Sequence, residues 1–175
     1  LTERSTGVPM AGVPFHAADN YLRRLIEQGH RVAVCEQVQD PSEAKGVVDR
    51  AVTRVLTPGT LVDDSLLSDA VANKVAAIMP RQEGNSEVID IAVAELSTGD
   101  FRLRTIPSRH ALDELVRLGP SEILHVDEMD PTINLAAEAN ALLGSASTAR
   151  PGWAFQAEEA ARTLCRHWGV SSMEG

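Results

Sequence analysis

Carboxylates are the commonest groups in this chain that could do chemistry: its 175 residues hold 25 Asp and Glu against 16 Lys and Arg. Acids converging from neighbouring strands can hold Mg²⁺ and hydrolyse a phosphodiester. That arrangement needs an acid on the first central strand, and the strand expected over Val75 to Met79 has none. Asp90 and Glu95, on the next strand, stand an odd number of residues apart and so face opposite sides of a sheet. Asp63 and Asp64, Asp113 and Glu114, and Asp127 and Glu128 read as connector, helix-surface and loop charges. The spacing therefore argues against a metal-dependent nuclease, and no catalytic residue or metal ligand is assigned. No GxxxxGK[ST] phosphate loop occurs, since Lys45-Gly46 and Thr57 to Thr60 (TPGT) do not match it. Cys35 and Cys165 have no CxxC or His-spaced companion, so both are expected to be small buried hydrophobes in a reducing compartment.

The other group of interest is a loop. Val8 to Ala17 reads VPMAGVPFHA, with Pro9, Gly12 and Pro14 inside six residues. Two fixed φ angles hold such a loop in one shape, and a helix follows at once, which suits it to touching a partner. His16 stands at that helix start. It either contacts a phosphate with help from the helix dipole or hydrogen-bonds its own loop. Lys45 and Arg50 are either cations that position a nucleic-acid backbone or ordinary surface charges.

The elements that must position these residues follow from periodicity. Ala17 to Gln28 reads as a helix, with Ala18, Tyr21, Leu22, Leu25 and Ile26 on one face and Gly29 just past its end. Arg31 to Val38 and Val47 to Leu56 read as a strand pair. Between them Asp40-Pro41-Ser42 is a helix entry that Gly46 stops after about one turn. The TPGT turn closes this unit, and Asp63 to Asn73 is a polar connector. Val75 to Met79, Val88 to Leu96 and Phe101 to Ile106 then read as three strands. Tight turns at Gly84 to Ser86 and Ser97 to Asp100 join them. Ser108 is expected to cap a helix running to Leu118, which Gly119-Pro120 breaks. Glu122 to Val126 reads as a short apolar strand. Leu135 to Leu143 and Glu158 to Trp168 read as helices, with a mobile link between Gly144 and Gly152.

Charge is unevenly placed. Residues 1 to 56 hold seven basic and seven acidic residues; the remainder hold nine and eighteen, which accounts for the net −9. Affinity for DNA comes largely from Lys and Arg neutralising phosphates, so any DNA face belongs to the first part and is weak alone. No stretch approaches the roughly 18 to 20 apolar residues of a membrane helix. With no initiator Met and no signal peptide at Leu1 to Arg4, the chain reads as a piece of a longer protein.

Residues 8 to 38, with Glu36-Gln37, Asp40-Pro41, Lys45-Gly46, Val55 to Thr60 (VLTPGT) and Asp63 to Leu67 (DDSLL), closely resemble the mismatch-binding domain of the MutS family of bacterial DNA mismatch-repair proteins. Ser97 to Gly99 and Pro120 to Leu124 (PSEIL) resemble segments of that family's connector domain. The order of three antiparallel strands, a helix and a strand is the opening of its ribonuclease-H-like fold. The resemblance implies an α/β chain in three parts. Residues 1–60 would be the remainder of a small α+β mismatch-binding domain, 61–73 a linker, and 74–175 a connector domain truncated at its C-terminus, with a mixed sheet and flanking helices.

By the same resemblance, Arg4 and the Pro9, Met10, Ala11, Gly12 loop lie beside the family's Phe-x-Glu wedge and approach DNA. Arg4 would pair with a phosphate and Met10 would pack on sugar or a base edge; otherwise Met10 fills core and Arg4 is solvated. The wedge itself is absent. Phe15, Phe101 and Phe155 are followed two residues later by Ala17, Leu103 and Ala157. With its first domain incomplete, the isolated chain is expected to expose apolar surface, to self-associate and to bind DNA barely. The implied whole protein is a cytoplasmic dimer that binds mispaired or looped DNA, uses ATP and Mg²⁺ at a site outside this chain, and recruits MutL. No cofactor is expected in the chain itself. The alternatives are an interaction module in a relative that binds branched DNA, and the nuclease considered above.

Overall fold

A computed structural model describes residues 2–3, 9–10, 12–40, 46–60, 73–127 and 130–173, with backbone only at 2–3, 9–10 and 130. The described residues form two compact units, one running to Thr57 and the other made of Pro58–Thr60 and residues 73–173.

In the first unit, β1 (Thr2–Glu3) and β2 (Pro9–Met10) form a short antiparallel ladder, Thr2 opposite Met10 and Glu3 opposite Pro9. A 3-10 turn over Phe15–Ala17 leads straight into α1 (Ala18–Glu27). The helix stops because Gly29 adopts a left-handed φ of 81°. Its N–H donates to the Ile26 carbonyl and that of His30 to the Leu25 carbonyl, satisfying the helix's last acceptors. β3 (Val32–Gln37) and β4 (Arg50–Leu56) pair antiparallel, with a bulge between Val34 and Cys35. The apolar stripe of α1 packs on them: Ile26 and Leu56 are buried, with Leu22, Val32 and Val34 against them. Pro41 and Ser42 of the helix entry expected at Asp40 to Ser42, and most of the Asp63 to Asn73 connector, lie outside the described residues.

In the second unit, β5 (Lys74–Glu83), β6 (Ser86–Glu95) and β7 (Asp100–Pro107) form the expected antiparallel meander, with Gly84 at a φ of 60° in the first turn. Then follow α2 (Ala111–Leu118), β8 (Glu122–Val126), α3 (Asp130–Leu143), β9 (Ala146–Arg150) and α4 (Ala157–Trp168). The sheet order is β7-β6-β5-β8-β9, with β8 parallel to both β5 and β9. This mixed sheet with flanking helices is the α/β architecture expected from the sequence. Alternation builds the core. Ile89, Ile91 and Val93 of β6 and Ala76 and Ile78 of β5 meet Ala111 and Leu115 of α2, Ile123 of β8, and Ala136 and Ala139 of α3.

Three local expectations are corrected. The link between Gly144 and Gly152 contains β9 (Ala146–Arg150), paired along its length with β8. Ser108 does not cap α2: it opens a 3-10 turn over Ser108–His110, and no side chain closes the helix start. The helix expected from Leu135 begins at Asp130, with Pro131 in its first turn, where a missing N–H costs no hydrogen bond.

Candidate nucleic-acid interface

The candidate loop is carried by the β1–β2 ladder, which fixes the backbone of Pro9 and Met10. Gly12, Val13 and Pro14 follow without regular structure and are exposed. A Cβ placed on Gly12 would meet no described residue within 4 Å. Phe15 is 95% exposed and His16 is also exposed, both in the turn that opens α1. Pro9 and Met10 thus lie on β2, and Gly12 and His16 in the exposed stretch that leads into α1. Arg50 stands apart at the start of β4, opposite Gln37, where the strand pair positions it. Arg4, Ala11 and Lys45 lie outside the described residues.

The acids take other roles. Asp90 on β6 accepts from Arg81 Nε at 2.9 Å and from the Thr105 hydroxyl. The hydrogen bonds from Arg81 and then Thr105, against the cost of desolvation, hold its carboxyl below the ordinary range. Glu114 of α2 was expected on the helix surface beside Asp113. Its side chain is only 14% exposed, because Arg117 Nε donates to it at 2.9 Å and Arg104 lies 3.3 Å away. The Arg117 hydrogen bond, with the charges of Arg117 and Arg104, depresses its pKa. Among the described residues, no three His, Cys, Asp or Glu side chains are placed to hold a metal ion.

Two buried polar residues of the sheet were passed over by sequence reasoning. Glu122 is 1% exposed and accepts the Thr148 hydroxyl at 2.7 Å and the Gly59 N–H at 3.1 Å. His125 is buried between the Val126 carbonyl at 3.1 Å and the Ser147 hydroxyl at 3.0 Å. A carbonyl only accepts, so the bond to Val126 requires the hydrogen on Nδ1. The signal for Glu122 was a lone acid at the head of an apolar strand. Both cysteines are free, and neither is the buried hydrophobe expected: Cys35 is exposed on β3 and Cys165 is only half-buried on α4. Among the described residues no helix is long and apolar enough to cross a membrane.

An α+β unit presenting a proline-fixed loop, joined to a mixed-sheet α/β unit, defines a two-module architecture. Comparison with known families gives the same division: residues 1–65 match MutS domain I and residues 73–175 match MutS domain II. The chain belongs to the MutS family. Proteins named DNA mismatch repair protein MutS are similar along its length. That of Chlorobium phaeovibrioides is 38% identical over the whole chain, and that of Rhodopirellula baltica 40% over 95% of it. That of Pelotomaculum thermopropionicum is 47% identical over 71% of the chain. The chain spans 20% of the length of the first two relatives.

Proposed function

We propose that this chain supplies the mismatch-sensing and connector modules of a DNA mismatch-repair protein. The observation that carries the reading is the ordered match to MutS domains I and II, with the proline-fixed loop lying in the first. The loop would lie beside mispaired or looped duplex DNA, Met10 against sugar or a base edge and Arg4 on a phosphate. The exposure of Gly12, Val13 and Pro14 supports this, because a loop that touches DNA must be accessible. His16 would add a contact at the start of α1, with Lys45 and Arg50 as backbone cations. Inserting a probe beside a base costs a few kcal/mol of unstacking, least where pairing is already poor; a defect is thereby selected.

The second unit would not hold DNA. All nine net negative charges of the chain lie beyond residue 56, and a negative surface repels phosphates. It would instead relay nucleotide state and meet MutL in a cytoplasmic MutS homodimer. ATP and Mg²⁺ would be bound elsewhere in the whole protein, since no phosphate-binding loop motif occurs in this chain.

The test is equilibrium binding of the whole protein to matched and mispaired duplexes at moderate salt. A clear preference for the mispaired duplex is expected. Met10→Ala should reduce that preference, whereas Arg4→Ala should weaken both duplexes alike and lower the salt slope by about 1. Equal affinity for the two duplexes would refute the reading.

A further inference from the structure

The Thr57 to Thr60 turn ends the first module by sequence, yet its glycine is seated in the second unit. The N–H of Gly59 donates to Glu122 Oε2 at 3.1 Å, while Glu122 Oε1 accepts the Thr148 hydroxyl of β9 at 2.7 Å. The seat has no spare room. A Cβ on Gly59 would stand 2.5 Å from Val75 Cγ2 and 2.7 Å from Glu122 Cβ, and the latter is fixed to its strand. A carboxylate buried this far is costly without partners, and N–H and O–H donors to it make hydrogen bonds about twice as strong as neutral ones.

We propose that Glu122 is a positioning residue that fastens the TPGT turn to the parallel strands. Pro58–Thr60 then behave as part of the sheet unit, although by sequence the turn belongs to the first module. The inference concerns where one module mechanically ends, so it stands or falls independently of DNA binding.

Amide hydrogen exchange on the chain, read at single residues, tests it. The Gly59 amide is expected to exchange as slowly as those of Ile78 and Ile123 in the sheet. Glu122→Leu should speed Gly59 by about tenfold or more relative to Ile123. Glu122→Gln should keep most of the protection, because its amide oxygen still accepts the bond. Should Glu122→Leu fail to fold, Gly59→Ala gives the same answer: the amide at 59 should lose protection while Ile78 and Ile123 keep theirs. Open-turn exchange of Gly59 in the unaltered chain, or unchanged relative protection at position 59 in Glu122→Leu or Gly59→Ala, would overturn the proposal.

Discussion

Glu114 shows how neighbours change a residue that looks ordinary in sequence. As the fourth residue of an amphipathic helix it reads as solvated, but Arg104 reaches it from β7 and Arg117 from the next turn. Because its folded pKa is depressed, its contribution is present above the ordinary carboxylate range of about 4 and is lost as pH falls through the folded value. Glu114→Gln should therefore cost about 1 kcal/mol near neutral pH and progressively less as pH falls below the ordinary carboxylate range. Urea titrations across that range measure it, and a cost independent of pH would refute the assignment. The same logic explains what could not be read from residue types. A lone acid at the head of an apolar strand hints that Glu122 is buried, but its partners cannot be read locally, since its donors come from Gly59, 63 residues upstream, and Thr148, 26 downstream. Cys35 was misjudged for a related reason: the class of residue favours burial, but its face of the strand decides.

Elements with strong periodicity were legible, and weak ones were not. The β5–β6–β7 meander and α2 follow directly from alternating and 3.6-residue patterns of large aliphatics. β9 was missed because Ala146 to Arg150 contains only one β-branched residue and no large apolar one. It is a strand because β8 offers it a parallel partner and Thr148 bonds to Glu122. The start of α3 was read late because Asp130 to Asn134 shows too little apolar repeat to reveal it. The loop of the candidate interface was visible as a rigid segment, but its seating on β1–β2 was not, since strands of two residues leave no pattern. A prediction belongs here. Leu115 is fully buried where α2 meets the sheet, so Leu115→Ala should cost about 2 to 5 kcal/mol. In a thermal melt that loss should lower the transition of the sheet unit and leave the first unit's transition in place. Equal shifts in both would contradict the division into two units.

At the scale of the whole molecule, the family resemblance read from some ten short segments extends across the chain, as the two domain matches show. Among the described residues, Ile26 and Leu56 form the buried cluster of one unit and ten residues that of the other. Val52 and Val55 of β4 lie exposed in the first, consistent with the apolar surface expected from its sequence. The order β7-β6-β5-β8-β9 also sets a timetable for assembly. β5, β6 and β7 meet through turns of a few residues, so their loop-closure entropy is small and they can condense first. β8 must find β5 across almost forty intervening residues, and β9 has no partner until β8 has arrived. Weakening the meander, as by Ile91→Val, should slow refolding, while a change in β9 such as Thr148→Ala should mainly hasten unfolding. Stopped-flow chevrons decide it, and a Thr148 substitution that slowed refolding more than Ile91→Val would mean that the late-joining edge, rather than the hairpins, seeds the domain.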